Sequence, residues 1–256
     1  MSDGAARVGQ PSVLIPVAPG TNRNQELADA FERAGARTTQ IPLAALRQGE
    51  TKLVDHQILA LPGGFSYGDA LGAGRLLGLD ITSWLGDQLQ EAVSRHMPII
   101  GICNGFQALV AAGLLPGGGQ PAALVANESG RFECRWVTLA PGPAPSPWLD
   151  GLSEPIRCPV AHGEGRLAVA DPVAVEGHVA FRYLDDTGAA ADGRYPHNPN
   201  GSVGDVAGLV DTTGLVLGLM PHPEDHVDPR QDPQRGRRRD GLALGLFQAG
   251  VRAVAA

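Results

Sequence analysis

Cys103 is the one cysteine of this chain whose setting suits chemistry. It stands in Pro98-Ile99-Ile100-Gly101-Ile102-Cys103-Asn104-Gly105-Phe106-Gln107, where an apolar run reads as a buried strand and the residues after it as a helix. A thiol in such a place is usually an inert core group, but its flanks argue for more. Gly101-Ile102-Cys103-Asn104-Gly105 has the G-x-nucleophile-x-G form of a strand-to-helix elbow, in which a strained turn lifts the central side chain out at the top of a sheet. The following helix presents the positive end of its macrodipole, which favours thiolate. Open α/β sheets also place their sites at the carboxyl ends of parallel strands. Gln107, four residues on, shares the helix face beside the thiol.

A cysteine that accepts an acyl group needs a base and a group to orient that base. Two His-x-Glu sequences compete. His222-Pro-Glu224 follows the buried-strand run "LVLGLM", and His162-Gly-Glu164 follows "RCPVA". In extended chain the period of two can bring His and Glu to one side in either pair, so spacing leaves the choice open. His56, His96, His178, His197 and His226 have no comparable context. The oxyanion of an acyl transfer needs preorganised N–H donors. Asn104, directly after the thiol, can supply one, and Gly63-Gly64-Phe65 at the end of "ALPGG" another, because glycine lets backbone approach a substrate closely.

Several chemistries are excluded. "GGFSYGDA" has phosphate-loop glycines, but Asp69-Ala70 stands where Lys and Ser/Thr would be, and no G-x-G-x-x-G follows the first strand. The chain offers no nucleotide or metal motif of its own. Cys103, Cys134 and Cys158 are odd in number and far apart, without a C-x-x-C pair, which points to a reducing compartment. A net charge of -7, from 20 basic and 27 acidic residues, argues against a nucleic-acid surface. The N-terminus has neither a positive n-region nor an apolar h-region, and no apolar run is long enough to span a membrane. A cytoplasmic protein is expected, in which the sequons at Asn127 and Asn200 are chance matches.

The elements that must position these residues alternate early in the chain. After a first segment, residues 1–10, read as disordered, "PSVLIPVA" is a buried strand. "NQELADAFERAG" sets Leu27, Ala30, Phe31 and Ala34 at helical spacing, with Gly35 suited to its end. "RTTQIPL" and "HQILALPGG" are further strands. "ITSWLGDQLQEAVSRHM" puts Ile81, Trp84, Leu85, Leu89, Ala92 and Val93 on one helix face, and "PIIGIC" with "NGFQALVAAG" forms the elbow. This alternation means βαβ units and a mostly parallel sheet with helices on both faces.

From about residue 121 strands dominate. They run through "AALVANESGRFECRWVTLA", "IRCPVAHGEGRLAVA" and "HVAFRYLDD", and "AGLVDTTGLVLGLM" reads as a hairpin around Asp211 to Gly214. The second half is therefore expected to extend one sheet with antiparallel strands, and "DGLALGLFQAGVRAV" to close the chain as a helix. "APGPAPSP" and "DPRQDPQRGRRRD" read as exposed loops, with Arg235 to Arg239 a solvated basic run.

Taken together, the motifs resemble the class I (triad) glutamine amidotransferases. Within that class they resemble the family of the glutaminase subunit of phosphoribosylformylglycinamidine synthase. "GICNGFQ" and the late "PHPE" carry the class. The narrower family is carried by "PGGFSYGD" with the following Leu71 and Ala73-Gly74, "NESGRFECRWV" (127–137), "VAHGEGR" (160–166), "YPHNPNGS" (195–202) and "GLMPHPE" (218–224).

The resemblance implies a flavodoxin-like α/β fold, with residues 11–256 as a single amidotransferase domain. It implies that Cys103 is the nucleophile, His222 the base and Glu224 its orienting acid. It further implies that Gly64 and Asn104 furnish the oxyanion hole, that Gln107 contacts the substrate L-glutamine, and that His162 to Arg166 form a wall or a partner-facing loop. No cofactor is implied in this chain. The implied partners are a large synthetase subunit, which uses ATP and magnesium to convert formylglycinamide ribonucleotide to the amidine, and a small bridging subunit.

Two features depart from the family pattern. Asp225 stands where a basic residue is expected, and the link through "DPRQDPQRGRRRD" is long. Two other readings compete. Another cysteine hydrolase of flavodoxin-like shape would keep the elbow but not the His222-Pro-Glu224 ending. A degenerate, non-enzymatic subunit is opposed by intact Cys103, His222 and Glu224.

Overall fold

The structure, a computed structural model, describes residues 9–233 and 241–255. The expected disorder of residues 1–10 falls almost wholly outside these, and the basic run Arg235 to Arg239 lies outside them too.

The first half alternates as the sequence predicts, with the addition of a short helix over Leu43–Arg47 that the sequence pattern does not predict. The strands β1 (Ser12–Val17), β2 (Arg37–Pro42), β3 (Ile58–Leu61) and β4 (Ile99–Ile102) are interleaved with helices α1 (Asn24–Arg33), α2 (Leu43–Arg47), α3 (Arg75–Ser94) and α4 (Asn104–Ala111). The second half runs β5 (Ala122–Val125), β6 (Glu133–Pro141), β7 (Ile156–His162), β8 (Arg166–Val169), β9 (Val179–Leu184), β10 (Val206–Val210) and β11 (Val216–Leu219), and ends in α5 (Leu244–Arg252). Among the described residues, nine strands form one sheet in the order β2-β1-β3-β4-β11-β10-β9-β6-β7. Pairing is parallel from β2 to β11 and antiparallel from β11 to β7.

One expectation needs correction. Not every second-half strand joins the main sheet, because β5 and β8 pair antiparallel with each other in a separate two-stranded sheet. The predicted hairpin is present as β10–β11, with Gly208 opposite Leu219 and Val210 opposite Leu217.

Burial explains the layering. Strands β3, β4 and β11 are buried at every residue, so both sheet faces must be covered. Two helix pairs supply the cover: α1 packs with α5 and α3 with α4. The contact of α1 with α5 is aromatic, Phe31 against Phe247 with ring centroids 5.2 Å apart, edge on. Of the α3 face read from the sequence, Ile81, Leu85, Leu89 and Ala92 are buried. Trp84 and Val93 are only partly buried, and the Trp84 ring lies 4.5 Å beneath the Arg47 guanidinium.

"APGPAPSP" is not an exposed loop throughout. Ala144 and Ser146 are buried, Ser146 Oγ donates to the Gly214 carbonyl at 2.6 Å, and Trp148 just beyond is fully buried. The apolar surface of that tryptophan draws the segment onto the molecule.

Parallel register fixes where chemistry can occur. Leu61 pairs with Gly101 and Leu219 with Ile102, so β3, β4 and β11 end level with one another. Gly63, Cys103 and His222 therefore emerge together at the carboxyl ends of these central parallel strands.

Candidate active site

The elbow is built as the sequence predicts. Cys103 lies between β4 and α4 with φ of 50° and ψ of −104°, a left-handed region that costs a non-glycine residue of order 1–3 kcal/mol and gathers at functional sites. The ladder holds the strain, since Cys103 N–H donates to the Leu219 carbonyl at 2.8 Å and Gln107 N–H to the Cys103 carbonyl at 3.0 Å. The flanking glycines are needed sterically. A Cβ at Gly105 would collide with the Leu61 carbonyl oxygen, and one at Gly101 would lie 2.6 Å from Leu109 Cδ1.

The two His-x-Glu pairs separate clearly. His222 Nδ1 lies 2.7 Å from Glu224 Oε1, with both residues buried, so Nδ1–H donates to the carboxylate and Nε2 is left for chemistry. His162 has no such partner in Glu164. Its Nδ1 is 3.1 Å from Asn127 Oδ1, while Glu164 Oε2 accepts from Ala73 N–H at 3.1 Å. A Cβ at Gly63 would lie 2.8 Å from His222 Cε1 and 3.5 Å from Cys103 Cβ, so the imidazole and the thiol flank the same glycine.

Electrostatics separate the histidines as well. Burial opposes charge on His222, but the Glu224 carboxylate and then the Cys103 sulfur outweigh it and hold the imidazole well above its ordinary value. For His162, burial and then the nearby His222 push the imidazole down to about 4, and it is neutral at pH 7.

The expected oxyanion loop is tightly framed. Gly64 has φ of 143°, which only glycine adopts readily. Asn22 and Arg23 N–H both donate to the Gly63 carbonyl, at 3.4 and 3.3 Å, and Phe65 N–H donates to the Gly20 carbonyl at 3.0 Å. Asn104 begins α4, so its N–H has no intrahelical acceptor. Its side chain pins the surroundings, accepting from Ser66 N–H at 3.2 Å and donating to Gln107 Oε1 at 3.0 Å. Gln107 Nε2 in turn donates to the Glu164 carbonyl at 2.6 Å, which ties α4 to the loop between β7 and β8.

Other features were not legible in the sequence. Strand β7 is the far edge of the sheet, yet His222 N–H donates to its Pro159 carbonyl at 2.8 Å and Cys103 Sγ lies 3.7 Å from its Ala161 carbonyl. The sheet therefore curls back over the site. Asn127 organises that wall: Nδ2 donates to the His162 carbonyl at 2.8 Å and Oδ1 accepts from Gly165 N–H at 2.9 Å. With Asn200 buried and donating to the Gly165 carbonyl at 2.8 Å, both sequons sit on interior side chains. His226 is structural, its Nδ1 2.5 Å from the Arg157 carbonyl. Arg23, which no motif marks, meets Asp225 at 3.8 Å and Glu26 at 3.0 Å.

Among the described residues, one group of three His, Cys, Asp or Glu side chains is close enough to surround a cation: His222, Glu224 and Asp225. It is the same turn in which His222 Nδ1 already engages Glu224. No helix among the described residues is long and apolar enough to cross a membrane.

Comparison with known proteins agrees with this geometry. Residues 10–253 match the family of the CobB/CobQ-like glutamine amidotransferase domain. A phosphoribosylformylglycinamidine synthase subunit PurQ from Treponema denticola is 41% identical, over 96% of this chain and 99% of its own length. Another from Dehalococcoides mccartyi is 40% identical, over 93% and 96%. A chain of the PurLQS structure from Thermotoga maritima superposes with a TM-score of 0.74 at 33% identity, covering 95% of this chain and 99% of that one. With the elbow, the buried His–Glu pair and this likeness along nearly its whole length, the chain belongs to the PurQ family of glutamine amidotransferases.

Proposed function

We propose that this chain is the glutaminase subunit of a phosphoribosylformylglycinamidine synthase, hydrolysing L-glutamine through Cys103, His222 and Glu224 and passing the ammonia on. The observation that carries the reading is the strained Cys103 elbow set across Gly63 from a buried His222–Glu224 pair.

The chemistry follows from the groups present. Proton transfer from Cys103 to His222 gives a thiolate and an imidazolium, the latter stabilised by Glu224. The thiolate adds to the side-chain amide carbon of glutamine, and Gly64 and Asn104 N–H hold the resulting oxyanion. His222 gives its proton to the departing nitrogen, so ammonia leaves and a γ-glutamyl thioester remains. The same imidazole then takes a proton from water. The hydroxide so formed attacks the thioester carbon, the C–S bond breaks to release glutamate, and the imidazolium returns its proton to the sulfur. Gln107, fixed between Asn104 and Glu164, lines the place of the substrate.

No cofactor takes part in this half-reaction. Ammonia is consumed by a synthetase subunit of the PurL kind, with ATP and magnesium bound there, and a small bridging subunit of the PurS kind completes the assembly. In this reading residues 11–256 act as one amidotransferase domain in the cytoplasm.

The test is glutamate release from L-glutamine by the chain alone and with both partners, formylglycinamide ribonucleotide, ATP and magnesium. Turnover should rise in the complete mixture and vanish in Cys103→Ala, while ammonium-dependent amidine synthesis persists in that variant. Equal loss of both activities would contradict the division of labour.

A further inference from the structure

Glu224 uses only half of its carboxylate on the histidine. Oε1 pairs with His222 Nδ1 at 2.7 Å, whereas Oε2 is buried and no protein group among the described residues hydrogen-bonds it. Asp225 supplies a carboxylate oxygen within 4.8 Å of both a Glu224 oxygen and a His222 ring nitrogen, with its side chain only 18% exposed. A neighbouring carboxylate so close in a largely buried turn raises the cost of ionising Asp225.

The groups facing Asp225 come from three directions. His222 and Glu224 share its turn, Arg23 and Glu26 approach from the start of α1, and Cys158 on β7 lies close enough for its thiol to feel the carboxylate. Arg23 is anchored, because its own N–H donates to the Gly63 carbonyl at 3.3 Å. The guanidinium therefore joins the loop beside Cys103 to the turn that carries the acid.

We propose that Asp225, held by Arg23, is a positioning residue that sets how tightly His222 holds its proton. Ionised, it adds a second negative charge beside the Glu224–His222 pair and strengthens the imidazolium. Protonated, it removes that charge and can turn its O–H toward Glu224 Oε2. The balance falls in an accessible range: burial, reinforced by Glu224 and opposed by His222 and Arg23, pushes the Asp225 carboxyl up to about 6. The inference rests on the assignment of Cys103, His222 and Glu224 above, and it adds an ionisation that those three residues do not contain.

The test is a titration of His222 in the full chain labelled with isotopic histidine, read by NMR at Cε1–H from about pH 5 to 9. The signal is assigned by its loss in His222→Ala. In the wild type, His222 should show a second inflection near pH 6. Asp225→Asn should abolish that inflection and lower the main His222 midpoint by about 1 unit. The alkaline limb of kcat/KM for glutamate release should move the same way, and Asp225→Glu should restore both.

A structural role alone would lower the unfolding temperature of Asp225→Asn and leave the His222 titration in place. A wild type without the inflection, or a folded Asp225→Asn with an unchanged midpoint, would overturn the proposal. If Asp225→Asn does not fold, the wild-type inflection decides. Glutamate release that survives Cys103→Ala would instead defeat the proposed function, while the titration still reports on Asp225.

Discussion

Two histidines, each 3% exposed, border the same site, and their different partners give them opposite roles. A carboxylate on Nδ1 prepares His222 to carry charge, whereas burial and the neighbouring His222 keep His162 neutral and an amide oxygen on its Nδ1 fixes it in the wall. His222→Ala should lower glutaminase kcat by about 10³-fold or more, the loss expected for the proton-transfer member of a triad. His162→Ala should cost less than about 10-fold. Steady-state glutamate release in the complete complex checks the order, and its reversal would make His162 the base. Gly63 belongs to the same argument. A Cβ there would lie 2.8 Å from His222 Cε1, so Gly63→Ala must push the imidazole away from Cys103. A displacement of about 1 Å costs on the order of 10²-fold in rate. The expected result is that loss in kcat with an unchanged far-ultraviolet circular dichroism spectrum, and full activity would mean that the loop yields instead.

At the scale of elements, β3, β4 and β11 were legible because each is a short apolar run with a clear end, Pro62-Gly63-Gly64 after β3, the Cys103-Asn104-Gly105 elbow after β4 and Pro221 just beyond β11, and a parallel ladder makes their ends coincide. The elbow was legible for the same local reason. Sheet order was not. Ala161 and Cys103 are separated by 58 residues and by most of the sheet's width, yet they touch, and nothing in the sequence near either residue records that contact. The separation of β5 and β8 from the main sheet is likewise a matter of pairing partners, which periodicity does not specify. Asp225 was visible as an anomaly, but its meaning needed Arg23, which only the fold brings near. Trp148 shows how a proline-rich segment deceives. Its indole Nε1 donates to the Leu215 carbonyl at 2.8 Å, its ring meets Phe31 edge on, and it is fully buried. Trp148→Ala would leave a large cavity between that segment and α5 and should destabilise the chain by about 3–5 kcal/mol. Urea denaturation measures this, and a loss below about 1 kcal/mol would show that the segment collapses into the space.

For the whole molecule, the buried titratable groups of the site make opposing contributions to stability as pH changes. His162 binds a proton at about 4 when folded, against 6.5 ordinarily. Between those values the unfolded chain takes up a proton that the folded chain refuses, so stability is lost as pH falls from 6.5 toward 4. Asp225 works in the other sense. Its carboxyl is raised from 3.8 to about 6, so the folded chain keeps a proton that the unfolded chain releases, and this contribution is lost as pH rises through 6. His222, raised above 6.5, contributes fully below that value and loses its share only as pH climbs through its folded value. In mildly acid solution the first two effects offset each other, and single substitutions should expose them. Relative to wild type, His162→Gln should gain stability as pH is lowered from 6.5 to 4, by about 2–3 kcal/mol at the acid end. Asp225→Asn should instead lose ground over the same interval, by a smaller amount because its carboxyl is partly screened by solvent. Urea denaturation of the three proteins at several pH values tests both slopes at once, since ionisable groups remote from the site contribute equally to each protein. Parallel curves would mean that neither proton equilibrium is coupled to folding, and divergence in opposite directions would show that the two are balanced across one active site.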